Sequence, residues 1–310
     1  MSPRAYATVA LLLVPLGARG QVELTDAQLC AVIGGNPDLA IMHCTRAIDS
    51  GRYSGDDLRR LHVIRGAEWA AKRDHDRAIA DYDAAIKLDP KSADAFHNRG
   101  IAWASKGEPD RAIADYDAAI RLDPGDSSPY AGRAVERTIK GDYPGAAADL
   151  DTAIRLDPKA AGAYFARGRV RFYRGEWAGA VADLEQANKL DPSAYTALWS
   201  YLARRRGGGE GDAPLKPYLA AANESIWPAP VIALYLGRAQ PGAVIAAAAK
   251  APPPRDRDQR CEAAFFVGQW HLVRGERDSA LPLLQEARSG CPKSFMEYEG
   301  ALAELRRLAK

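Results

Sequence analysis

The chain has 310 residues, with 42 Lys and Arg against 40 Asp and Glu, a formal net charge of +2, and 47% hydrophobic residues. Such a balance suits a globular chain and gives no basic face of the kind nucleic acid requires, which excludes that class of partner. Beyond the first residues no stretch of 18 apolar residues occurs, so no later segment is expected to span a bilayer.

Residues 1–20 read as a secretory signal peptide. Arg4 precedes the apolar run Ala5 to Leu16, and Ala18-Arg19-Gly20 supplies the small residues of a cleavage site before Gln21. Its removal takes away Arg4 and Arg19 and no acidic residue, which leaves a formally neutral chain with no stable membrane insertion.

Residues 21–58 read as a degenerate helical hairpin. Gly35-Asn36-Pro37-Asp38-Leu39-Ala40 matches Gly107-Glu108-Pro109-Asp110-Arg111-Ala112 further on, which places Cys44 at the position of Tyr82 and Tyr116 and Cys30 on the facing helix. Cys261 and Cys291 similarly fall at the start of one helix and the end of its antiparallel partner. In an exported chain this predicts bridges Cys30 to Cys44 and Cys261 to Cys291, the alternative being four reduced core thiols.

Residues 59–194 carry the strongest signal. The segment Ala-Ile-Ala-Asp-Tyr-Asp-Ala-Ala-Ile-Lys-Leu-Asp-Pro at 78–90 returns almost unchanged at 112–124 and more loosely at 146–158 and 180–192. The small residues Ala78, Ala112, Ala146 and Ala180 recur where two helices must approach closely, with Gly66, Gly100, Ala134 and Gly168 expected opposite them. Pro90, Pro124, Pro158 and Pro192 stop each second helix. A 34-residue step of this kind is the tetratricopeptide repeat (TPR), with repeats at 59–92, 93–126, 127–160 and 161–194. The fold expected is all-α, a solenoid of TPR helical hairpins wound as a right-handed superhelix.

Such a solenoid binds along the face made by its first helices. On the repeat template that groove comprises Val63, Ala67, His97, Asn98, Ile101, Val135, Phe165, Arg169, Phe172 and Tyr173, mostly apolar with an aromatic patch in the fourth repeat. The patch is either open or covered by the helices that follow. The residues with which chaperone-binding repeats clamp a carboxylate are absent except for Asn98. Arg65, Arg99, Arg133 and Arg167 share one position and Asp81, Asp115, Asp149 and Asp183 another. They read as a ladder of largely exposed ion pairs, or else as a row of arginines for an acidic ligand. Arg204-Arg205-Arg206 reads as a solvated helix end, or as an anion or lipid site. No histidine or cysteine spacing suits a metal, and no nucleophile elbow, P-loop or His-Glu-x-x-His occurs. The expectation is therefore a binding protein without cofactor or catalysis. An enzyme would require a constellation formed only on folding, such as a buried carboxylate pair beside a pocket.

Residues 195–260 depart from the step, with a break at Gly207 to Pro214, a shorter hairpin from Trp227 to about Lys250 and a Pro252-Pro253-Pro254 linker. A last repeat follows at 261–294 and a capping helix at 295–310. Leu198-Trp199-Ser200-Tyr201-Leu202-Ala203, Tyr235-Leu236-Gly237, Phe265-Phe266-Val267-Gly268, Phe295-Met296-Glu297 and Ala301-Leu302-Ala303-Glu304-Leu305 resemble stretches of the NlpI-like family of bacterial outer-membrane lipoproteins. The resemblance implies an all-helical, homodimeric scaffold that brings cell-wall hydrolases together with a processing protease. The family carries a lipid-attachment cysteine after its signal, whereas this chain has Gln21 there and no lipidation box before Cys30. The expectation is a soluble periplasmic or secreted adaptor for a protein or peptide of the cell envelope, or alternatively an assembly factor for a secretion, pilus or respiratory complex.

Overall fold

The computed structural model describes residues 24–32, 35–221, 226–253, 255–292 and 295–309. The signal peptide expected over 1–20 lies outside the described residues, which form seventeen helices and no strand. Two units divide within one helix, after Ala102. The first holds α1 (Asp26–Val32), α2 (Pro37–Asp49), α3 (Gly55–Ala71), α4 (His75–Leu88) and most of α5 (Ala93–Ser105). The second continues with α6 (Pro109–Leu122), α7 (Ser127–Lys140), α8 (Tyr143–Leu156), α9 (Ala161–Arg174), α10 (Trp177–Leu190) and α11 (Ala194–Arg206). It ends with α12 (Lys216–Ala221), α13 (Ala229–Tyr235), α14 (Pro241–Ala248), α15 (Arg255–Val273), α16 (Arg277–Gly290) and α17 (Met296–Leu308).

Local chemistry sets the hairpin boundaries. Asp74 and Asp142 cap α4 and α8 by accepting hydrogen bonds from the backbone N–H groups of Arg77 and Gly145. Each second helix of the four repeats ends at an aspartate, Asp89, Asp123, Asp157 or Asp191, whose backbone has left the helical region ahead of a proline. In the first and fourth hairpins the close approach also meets the large residue of the second helix. A methyl group on Gly66 would lie 2.8 Å from the Tyr82 ring, and one on Gly168 would lie 2.7 Å from Leu184 Cγ. The glycines thus accommodate the large residue of the second helix, and the buried alanines lie beside that contact.

The ladder of ion pairs is present, but it is not exposed. Asp81, Asp149 and Asp183 are 3–4% exposed. Asp149 accepts from Arg133 through Nε at 2.9 Å and Nη2 at 2.5 Å, and Asp183 accepts from Arg167 at 2.9 and 2.6 Å. Asp81 is held in the same way by Arg65, and also by His62 Nδ1 at 2.8 Å. Burial opposes ionisation of Asp81, but these donors outweigh it and hold its pKa below the ordinary value. The remaining arm of each arginine reaches back one hairpin, Arg99 to Asp83, Arg133 to Asp117 and Arg167 to Asp151. The arginine at this repeat position therefore joins successive hairpins through charge.

The repeats also divide into two kinds. Trp69 and Trp103 are half-buried, each beneath a guanidinium, Arg77 or Arg111, at 4.5 Å from the ring. One repeat pair later both partners change together. Arg137 and Arg171 replace the indoles and Gly145 and Gly179 replace the arginines. Each new guanidinium then donates to the glycine carbonyl and to Oδ2 of Asp149 or Asp183, the oxygen that also accepts from Nε of Arg133 or Arg167.

The largest core is built by the divergent end. Phe172, Trp199, Phe265 and Phe266 are fully buried there, with neighbouring ring centroids between 5.2 and 6.5 Å apart. Both disulfides form, Cys30 with Cys44 and Cys261 with Cys291. With sequence separations of 14 and 30 residues, chain entropy gives each a contribution of roughly 3 to 4 kcal/mol. Reduction should accordingly lower the midpoint of urea unfolding, with the larger loss from the Cys261 to Cys291 bridge when each pair is replaced by alanine in turn.

Candidate functional site

In the first unit, α3 and α5 are tied together by Arg59, which donates to Asp94 and Ser92. On these helices Ala67 and Ile101 are exposed, Ile101 by 43%, while Val63, His97 and Asn98 are half-buried. In the second unit Val135 on α7 is 40% exposed and Phe165 on α9 is half-buried. Ala67, Ile101, Val135 and Arg169 occupy one position of the 34-residue step, and the fourth of them differs from the rest in its surroundings.

Arg169 donates from Nη2 to Glu299 of α17 at 2.7 Å. Tyr173 donates its hydroxyl to the Met296 carbonyl, and Arg307 Nη2 donates to the carbonyls of Phe172 and Tyr173. Helix α17 packs on α15 and α16, and it also reaches α9. Phe172 is 0% and Tyr173 6% exposed, so the aromatic patch proposed as part of the groove is covered. Phe172 and Tyr173 are core residues there, with Trp199 across both rings at 5.2 and 5.9 Å. The sequence placed α17 as a cap on the last repeat. It did not show that the same helix closes the first-helix face of the fourth.

Closing that face buries acids. Glu297, Glu299 and Glu304 on α17 are at most 5% exposed, as is Glu136 on α7. Burial, with Glu262 nearby, pushes Glu297 up to about 8, and burial with Glu299 nearby pushes Glu136 up to about 7. Glu304 is held between Arg206 and Arg307, both of which stack on Trp177 at 5.1 and 5.0 Å. Arg204 pairs with Glu185, so two arginines of the basic run have carboxylate partners.

Two cavities flank α17 or its neighbours. One of about 540 Å³ is lined by Tyr195, Trp227, Lys250, Arg255 and Glu262 among others. Glu262 Oε2 accepts from Tyr195 Oη at 2.7 Å and Trp227 Nε1 at 2.6 Å, and burial raises its pKa. Glu262 and Glu297 therefore form a pair of perturbed carboxyls beside a cavity, the arrangement an enzyme reading would need. Of the two, Glu262 lines the cavity, and its Oε2 already accepts two hydrogen bonds. The second cavity, about 430 Å³, lies among α8, α9 and α17 and is lined by Tyr143, Tyr173, Arg174, Glu176, Ala303, Arg306 and Arg307. Among the described residues no group of three or more His, Cys, Asp or Glu side chains could hold a metal, and no helix is long and apolar enough to cross a membrane.

Family profiles agree with the repeat. One described as tetratricopeptide repeat matches residues 70–127, and another, described as TPR repeat, matches 136–172. A search of curated proteins gives no match. Among solved structures the chain is similar to that of pilF from Pseudomonas aeruginosa, at 17% identity and a TM-score of 0.51, over 80% of this chain and 98% of that one. It is also similar to a tetratricopeptide repeat protein from Parabacteroides merdae, at 14% identity and a TM-score of 0.50, over 87% and 93% of the two chains. At these identities the likeness concerns the fold alone. The 34-residue step, the helical hairpins it builds and the two profile matches show that the chain contains tetratricopeptide repeats within residues 70–172.

Proposed function

We propose that the protein is a non-enzymatic adaptor of the cell envelope, periplasmic or secreted, that captures an apolar segment of a partner protein on its first-helix faces. Tetratricopeptide repeats generally mediate protein–protein contacts. The observation that carries the reading is the exposure of apolar side chains at one repeat position, Ala67 and Ile101 in the first unit and Val135 in the second, while Arg169 at the same position of the fourth repeat is met by the chain's own α17. Two disulfides are compatible with an oxidising compartment. The resemblance to NlpI-like scaffolds favours a hydrolase or a processing protease as partner and extends the reading to a homodimer.

Affinity capture from an envelope fraction tests this. Ile101→Arg places a charge on an exposed site, so the melting temperature should be unchanged, while recovery of a cell-wall hydrolase or protease should fall about tenfold if a central apolar contact is lost. Equal recovery by the variant would remove this face from the binding site. Recovery of a secretion, pilus or respiratory component instead would favour the assembly-factor role.

A further inference from the structure

The 430 Å³ cavity among α8, α9 and α17 falls within the roughly 300–1,000 Å³ of ordinary ligand sites, and its charge is one-sided. Arg174, Arg306 and Arg307 line it against one acid, Glu176, which is occupied by Arg174 at 2.9 Å. Arg307 shares Glu304 with Arg206, so a single carboxylate is set against two guanidiniums stacked on one indole. Arg306 is exposed, and among the described residues it has no carboxylate partner. Its guanidinium lies over the helix end at Gly141, where a methyl group would come within 3.2 Å of Nη1, and beside the Tyr143 hydroxyl. The nearby Glu299 is committed to Arg169. The walls are the rings of Tyr143 and Tyr173, 5.7 Å apart between centroids, with Ala303.

Cations gathered with too few anions repel one another, and an oxyanion entering the cavity would relieve that repulsion while accepting charge-assisted hydrogen bonds. Guanidiniums present a planar fork that matches a carboxylate, and the two phenol rings with Ala303 would take an apolar side chain attached to it. We propose that this cavity binds the C-terminal carboxylate of a protein segment whose last residue is apolar or aromatic. It is a second contact point on the protein, separate from the Ala67, Ile101 and Val135 positions, so failure here would leave the reading of those positions intact.

Isothermal titration of the full chain with N-acetyl-Ala-Leu-Phe, as the free acid and as its C-terminal amide, tests the proposal. The acid should bind, and the amide should bind about tenfold more weakly, the size of one lost hydrogen-bonded charge. Arg306→Ala should weaken the acid to a similar degree without moving the melting temperature, because Arg306 is exposed and unpaired with any acid. Arg306→Lys should recover part of the loss, and Tyr143→Phe should weaken binding several-fold. No binding of the acid, equal binding of acid and amide, or unaltered binding by Arg306→Ala would overturn the proposal. So would inorganic phosphate binding more tightly than the peptide, which would mark a phosphate site instead.

Discussion

Asp183→Ala should lower the free energy of unfolding by about 3 kcal/mol, at the lower end of the cost of stripping one partner from a buried ion pair. Asp183 is 3% exposed and accepts from both Arg167 and Arg171, so its removal leaves two guanidiniums facing a methyl group. The arginines retain partial solvent contact and secondary acceptors, Asp151 and the Gly179 carbonyl, which is why the upper end of the range is not expected. The pair as a whole contributes less than the cost of breaking it, since desolvation offsets most of the attraction. Combining Asp183→Ala with Arg167→Leu and Arg171→Leu should thus recover much of the loss. Urea unfolding of the single and combined variants measures both quantities. A single variant within 0.5 kcal/mol of the parent, roughly the scatter of surface substitutions, would show that the aspartate is solvated in solution.

Stability should also fall as pH rises through neutrality, by on the order of 4 kcal/mol or more between pH 5 and pH 9. Glu297, pushed up to about 8, and Glu136, pushed up to about 7, hold their protons in the folded state well above the ordinary glutamate value of 4.5. A raised pKa means that the folded chain binds the proton more tightly than the unfolded one. The contribution is therefore complete below about pH 4.5 and is lost as pH climbs through 7 and 8, at about 1.4 kcal/mol per pH unit for each group while it lasts. The charged groups facing these acids are Glu262 of α15, Glu299 of α17 and Arg169 of α9; the backbone N–H of Glu297 and the Arg169 guanidinium oppose the effect. Asp81 acts in the opposite sense, since its lowered pKa supplies stability that is lost as pH falls toward and below its ordinary value of 3.8. An optimum on the acid side follows, at about pH 4, between the ordinary values of Asp81 and of the two glutamates. Glu297→Gln keeps a neutral polar group in place, so it should flatten the alkaline limb and raise the unfolding midpoint at pH 9. An unchanged pH profile in that variant would show that Glu297 is ionised in the fold.

Much of this molecule is legible from the sequence because tetratricopeptide hairpins are local. Each helix contacts neighbours close in sequence, and the residues that permit those contacts recur at 34. Ala78 to Ala180 and the proline stops could therefore be placed from spacing alone, and the cysteine pairs from spacing together with the expected export. Burial of the Arg and Asp ladder was missed for a related reason. Recurrence shows that two positions belong together, but only packing shows that the aspartate faces inward, with 4% exposure at Asp149. The concerted exchange of Trp69 and Arg77 for Arg137 and Gly145 was visible in register, yet it acquires meaning only once the two positions are seen to touch.

What lay beyond the sequence is the contact made across more than a hundred residues. Arg169 meets Glu299, Tyr173 meets Met296, and Arg307 meets Phe172. No period relates these positions, because α17 stands outside the repeat, and its apolar and acidic residues would suit a plain cap on α16 equally well. Periodicity by itself determined the hairpins, their proline stops and the placing of the cysteines on facing helices. Tertiary packing alone decided that α17 covers the first helix of the fourth repeat. A helix settles where it buries most apolar surface while keeping its charges paired, and that balance is struck between elements which chain spacing does not relate.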